Sequence, residues 1–256
     1  MEIFFQADTW GALLTLTFLE IVLGIDNIIF ISIAADKLSE DNRKKATNIG
    51  LFLAMLLRIA LLFGISLLIA MNTTLFKLNL SWFNAGLTGQ SLILFAGGLF
   101  LLYKSTKEVH NKVEGSYEHL NDKKPKKYGL KQAIVQITLI NIVFSFDSIL
   151  TAVGMTNGVN GALIIMVSAV ILSMIIMMVF ASPVSKFVNK NPSIQMLGLA
   201  FLILIGFMLI AEAAHLSGAK LFGQKIGAVP KGYLYFAITF SLIVEMLNMR
   251  MRKNKI

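Results

Sequence analysis

Apolar residues run along this chain in long blocks separated by short polar segments. Seven blocks reach about the 20 residues that a helix needs to cross ~30 Å of hydrocarbon. They cover about 10–35, 46–71, 83–104, 130–155, 160–182, 194–214 and 231–250. The pattern therefore predicts seven transmembrane helices. The first block follows MEIFFQADTW, which lacks a basic stretch and a small-residue cleavage site. It reads as a retained span rather than a signal peptide.

Composition agrees with this pattern. Of 256 residues, 56% are hydrophobic and 14% charged, against about 25% charged in an ordinary soluble domain. A soluble enzyme of this size cannot hide so much apolar surface. A disordered chain, a disulfide scaffold and a coiled coil are excluded as well. The absence of cysteine removes thiolate metal sites and thiol nucleophiles. Three histidines are too few for a typical zinc or copper cage. No HExxH, GxSxG or P-loop occurs, so the chain is expected not to be an enzyme.

Where the charges lie explains the formal +9. Outside the spans, alternate loops sum to 18 Lys and Arg on one side of the membrane and 4 on the other. The positive-inside rule then puts the N-terminus outside and the C-terminus in the cytoplasm. The cytoplasmic basic loops are expected to touch anionic lipid. Nucleic acid is not an expected partner, since no basic motif interleaved with aromatics is present. Residues 105–129 read as a basic cytoplasmic loop whose KKPKKYG end is a membrane-surface patch. Within it His110, Glu114 and Glu118 share a spacing of four, and a helix would align them. The plain reading is a solvated face, the sharper one a peripheral metal site.

The chain repeats itself. LTFLEIVLGIDNII (16–29) sets over ITLINIVFSFDSIL (137–150), with Thr17 on Thr138 and Asp26 on Asp147. Glu20 falls on Asn141 and Asn27 on Ser148. GGLFLL (97–102) against IGFMLI (205–210) is a weaker second match. The expected organisation is a three-helix repeat over 1–104, the loop 105–129, a second three-helix repeat over 130–214, and an outer loop, seventh helix and basic tail over 215–256. Three helices per repeat is an odd number, so the second repeat enters from the opposite side. Such inverted repeats hold substrate near the bilayer midplane between them.

Asp26 and Asp147 sit inside long apolar runs, and Glu20, Glu212 and Glu245 lie within or near spans. A central Asp costs about 2.5–3.5 kcal/mol on insertion scales, so it faces a bundle interior or a watery cavity. Glu20 and Asn27, seven apart, share one helix face, as do Asn141 and Ser148. Glu20 and Asn141 fall near mid-span, and at 1.5 Å per residue Asp26 and Asp147 each lie roughly 6–7 Å from the bilayer midplane, towards opposite surfaces. The expected arrangement is a ladder of oxygen ligands: Asp26, Glu20 with Asn141, then Asp147. Carboxylate and amide oxygens suit hard cations such as Mn²⁺, Mg²⁺ and Ca²⁺. Asn27 and Ser148 are expected to support the ligands, and Arg58, inside span two, to neutralise an acid. Glu212 and Glu245 are the weaker ligand candidates, since they lie nearer span ends, where snorkelling explains them better.

FLEIVLGIDNIIFIS in span one, GGLFLLYKSTKEVH ending span three, NIVFSFDSILTAVG in span four and PKGYLYFAITFSLIVEMLN in span seven carry a family resemblance. Together they resemble the TerC family of bacterial integral membrane proteins, in the short form without CBS domains. The resemblance implies a seven-span bundle of the LysE transporter superfamily in the cytoplasmic (inner) membrane. It also implies Mn²⁺ efflux, with the acids of the two Asp motifs involved. That role carries over to Asp26 with Asn27, to Asp147 with Ser148, and to Glu20. Similar proteins usually carry an acid where this chain has Asn141, so its site holds one negative charge fewer. The expected function is secondary export of a divalent cation, Mn²⁺ first, by proton exchange, with the metal as transported substrate and no permanent cofactor. Two other readings stand beside it: a membrane scaffold of tellurium-resistance type with structural acids, and an exporter of organic solutes.

Overall fold

A computed structural model describes residues 7–35, 38–64, 71–118, 129–156, 159 and 161–253. Seven long helices take up most of them: α1 (Ala7–Ala35), α2 (Glu40–Phe63), α3 (Gly89–Glu118), α4 (Leu130–Thr156), α5 (Ala162–Lys190), α6 (Pro192–Leu216) and α7 (Lys231–Lys253). The protein is all-α and membrane-spanning, as its pattern requires. All of these except α3 are long and apolar enough to cross a membrane.

The third expected span needs correction. Residues 83–88 are not helical but form a strand, and α3 starts only at Gly89. The expected loop from 105 is helical as far as Glu118. Pairs spaced by four hold that extension in shape: Lys104 to Glu108 at 3.1 Å and His110 to Glu114 at 3.0 Å. The His110 and Glu114 side chains are more than half exposed, which is the solvated face. The Glu118 side chain and residues 119–128, with most of the KKPKKYG patch, lie outside the described residues.

Local chemistry sets the helix ends. Glu40 and Asp41 fill the first turn of α2, where the helix dipole favours negative charge. Asn191 is extended because a proline follows it, so α5 stops and α6 starts with Pro192 in its first turn. At the end of α6, Gly218 takes φ +59. That conformation lets the Gly218 and Ala219 amides close on the His215 and Ala214 carbonyls, both at 2.9 Å.

Four short strands add to the helices that the pattern predicts: β1 (Thr74–Asn79), β2 (Phe83–Thr88), β3 (Lys220–Leu221) and β4 (Gln224–Lys225). They pair antiparallel in that order. Phe222 and Gly223 link β3 to β4 with φ 49 and 82, the two positive angles of a tight hairpin turn. The polar segments between the expected spans, 72–82 and 215–231, are thus joined in one small sheet through β2, which takes the start of the expected third span.

Two compact units emerge, 1–70 with 127–189 and 71–126 with 190–256. Each draws on both halves of the sequence. In the first unit α4 packs on α2 and α1. Gly50 of α2 admits Ile137 of α4; a Cβ there would lie 2.5 Å from the isoleucine methyl. Helix α5 reaches its neighbours through buried methionines, with Met177 lying over Gly24.

In the second unit α3 packs along α6, and α6 also contacts α7. Gly98 and Gly206 meet there, the two glycines that the weaker repeat match sets in register. A Cβ on Gly98 would lie 2.7 Å from the Gly206 carbonyl oxygen, and one on Gly206 3.0 Å from that of Gly98. Backbone cannot yield as a side-chain tip does. Gly98→Ala is therefore expected to destabilise by about 1–3 kcal/mol, the usual range for overpacking. Thermal unfolding in detergent checks this, with Gly11→Ala as control, since nothing lies within 4 Å of a Cβ there. Equal melting temperatures for Gly98→Ala and wild type would contradict the close approach.

Candidate functional site

Arg58 lies in the apolar run AMLLRIALLF of α2 and is 4% exposed. A guanidinium at such a position is tolerated only if its charge and its donors are met. Both conditions hold. Its Nη1 donates to Oε2 of Glu20 on α1, itself 4% exposed, in a buried ion pair. Its Nη2 donates to the Ser148 hydroxyl oxygen at 2.9 Å and its Nε to that of Ser145 at 3.2 Å. One planar fork thus joins three helices of the first unit.

The serines are prepared for this by their own helix. Ser145 donates its proton to the Asn141 carbonyl at 2.5 Å, and Ser148 donates to that of Ser145 at 3.1 Å. With their protons committed to backbone, both hydroxyls turn lone pairs toward the guanidinium. Asn141 donates its amide to the Ile137 carbonyl at 2.9 Å, one turn back. A helix of this composition can host such bonds because each acceptor is three or four residues behind its donor.

The residues singled out from the sequence fall into three groups. Glu20, Arg58 and Ser148 come together directly, and Asn141 stands on the same face of α4 as the serines. The side chains of Asp26 and Asp147 lie outside the described residues, although both positions are within α1 and α4. Glu212 and Glu245 belong to the second unit. Glu212 is half-buried on α6. Glu245, on α7, accepts from Asn248 through Oε2 at 3.4 Å. Among the described residues no three His, Asp or Glu side chains cluster as a metal site.

Some acceptors stay unmet. Asn27, next to Asp26, is 4% exposed, and its Oδ1 is buried with no partner among the described residues. The Thr17 and Thr138 hydroxyls, matched in the repeat, are also buried without partners among them. A buried polar atom left unmet is costly and asks for an explanation such as a bound ion or water.

Ser145 is the functional candidate that sequence reasoning missed. It lies four residues after Asn141 and three before Ser148, so helical spacing alone would have placed it on their face.

The profile of the integral membrane protein TerC family matches residues 5–255. The UPF0053 inner membrane protein YgdQ of Escherichia coli is 44% identical over 248 residues, covering 96% of this chain and 95% of that protein. A UPF0053 protein of Haemophilus influenzae is 41% identical with the same coverage. The longer UPF0053 inner membrane protein YoaE of Escherichia coli is 40% identical over 99% of this chain but 45% of its own length. No solved structure matches.

Proposed function

The chain belongs to the TerC family of integral membrane proteins, and we propose that it is a secondary transporter exporting a hard divalent cation, Mn²⁺ first, from the cytoplasm. One observation carries this reading. A single buried guanidinium bonds side chains from both repeated segments, Glu20 of the first and Ser145 and Ser148 of the second. The two Asp motifs therefore share a polar centre within apolar helices.

In this reading Asp26 and Asp147 supply the charge that binds the cation. Asn27 has an oxygen without a donor among the described residues, which suits a cation or its remaining water. Arg58 does different work. It balances Glu20 and orients Ser145 and Ser148, so that α1, α2 and α4 stay in register while the cargo comes and goes. Protons returning through the same carboxylates would drive efflux. The bacterial inner membrane, with the N-terminus outside, is the proposed setting.

The scaffold reading has one observation in its favour: the Glu20 carboxylate is already neutralised by Arg58, as a purely structural pair would be. Purified protein in liposomes separates the two. Under a pH gradient the transporter moves Mn²⁺ at rates well above empty liposomes. Absence of flux with Mn²⁺, Mg²⁺ and Ca²⁺ from well-folded protein would overturn export of a hard divalent cation.

A further inference from the structure

Helices α2 and α5 of the first unit line two adjoining hollows near their polar ends. The first, about 270 Å³, is ringed mainly by polar and charged residues, with Met178 and Ala181 between them. Arg43, Lys44 and Lys186 stand around it, with hydroxyls from Thr47, Ser182 and Ser185. Glu40 is its one acid, so three cations face one carboxylate. Thr47 and Ser185 are buried, so the hollow is polar in its floor as well as at its rim.

The second hollow, about 520 Å³, continues along the same two helices. Asn48 and Met178 line both. Its remaining wall is Ile49, Phe52, Leu53 and Val179, entirely apolar. Ile49, Phe52 and Val179 are 42%, 49% and 66% exposed. On a helix that spans a membrane, such side chains face acyl chains without penalty.

A cationic, hydroxyl-lined hollow that runs into an open apolar groove has the shape and polarity of one molecule. We propose that this is a binding site for an anionic phospholipid, with its phosphate among Arg43, Lys44 and Lys186 and an acyl chain along Ile49, Phe52 and Val179. The phosphate oxygens accept from the lysine ammonium groups and from the Thr47 and Ser182 hydroxyls. Arg43 also donates its Nε to the Ala35 carbonyl at 3.3 Å, so the arginine is held at the rim of the site by the end of α1. A general attraction of basic loops to an acidic surface would need no such hollow. The proposal depends on the membrane placement of α2 and α5 and not on transport.

Native mass spectrometry of the protein in a neutral detergent tests the site. Phosphatidylglycerol is titrated beside phosphatidylcholine with the same chains, and beside inorganic phosphate. Retention of phosphatidylglycerol at roughly tenfold lower concentration than phosphatidylcholine is expected. The Lys44→Gln/Lys186→Gln variant should weaken phosphatidylglycerol binding roughly 30-fold, the effect of removing two cations near an anionic head group. Both lysines are exposed, so the variant keeps its fold. Arg250→Gln/Arg252→Gln, in the basic tail that closes α7, should leave binding unchanged. Equal retention of the two lipids, an equal loss in the tail variant, or inorganic phosphate matching phosphatidylglycerol would each overturn the proposal. The last of these would mark a plain phosphate site.

Discussion

Glu20→Gln is expected to destabilise the protein by about 3–5 kcal/mol, the cost of stranding one partner of a buried ion pair. The reason lies in what remains. Arg58 would keep its positive charge at 4% exposure, with the Ser145 and Ser148 hydroxyls still bonded to it. Hydroxyl dipoles solvate a charge but do not balance it. Arg58→Met is expected to cost about as much, since it strands the Glu20 carboxylate at 4% exposure and leaves the Ser145 and Ser148 oxygens without their donor. The informative variant is the double one. Glu20→Gln/Arg58→Met removes both charges and should recover most of the loss, because replacing a whole buried pair by apolar groups is often neutral. Melting temperatures of the four proteins in one detergent close the cycle. Strictly additive losses would show that Glu20 and Arg58 do not stabilise each other.

Asp26→Asn and Asp147→Asn should each lower cation flux in liposomes by at least about 100-fold, more than is typical for loss of a supporting group alone. Asparagine keeps the size and the carbonyl oxygen but removes the charge, so the fold is preserved while the attraction for a dication goes. Neither residue should matter much for melting temperature, which separates this result from that for Glu20. Because the repeat pairs Asp26 with Asp147, both variants should fail together. Wild-type flux in both would remove these carboxylates from the site and leave the Glu20–Arg58 centre with a structural role only. Asn141→Asp, which gives the second repeated segment the acid that the first has at Glu20, adds a negative charge next to the serines and is the natural companion measurement.

Much of this architecture is legible in the chain. Six of the seven expected spans coincide with helices long and apolar enough to cross a membrane, because a bilayer imposes one length and one polarity on every crossing. The third departs from expectation at its start. Residues 76–81, FKLNLS, alternate apolar and polar, which is the period of a strand. That signal is local, but strand pairing also needs residues 220–221, far along the chain, and no local pattern announces them. The extension of α3 to Glu118 is hidden because a charged stretch after an apolar run resembles a loop. Its spacing of four, Lys104 to Glu108 and His110 to Glu114, is what a solvated helix uses.

The candidate site divides the same way. An ionisable group in an apolar run marks Glu20 and Arg58 from composition alone, since the cost of leaving either unpaired is prohibitive. Their partnership is not legible, because 38 residues separate them and Asp26 and Asp147 are equally good acids for Arg58. Only packing chooses Glu20.

The class of molecule, its helices, the repeat of Thr17, Glu20 and Asp26 in Thr138, Asn141 and Asp147, and the family that these motifs mark are all written in the linear chain. Each follows from local composition or from period, which a chain carries wherever it folds. Which groups meet is a matter of packing: Arg58 with Glu20, Ser145 and Ser148; Gly98 with Gly206; β2 with β3; and Lys44 with Lys186 around one hollow. Those choices depend on which helix faces come within a few ångströms, and short-range forces act only once the chain has brought them there.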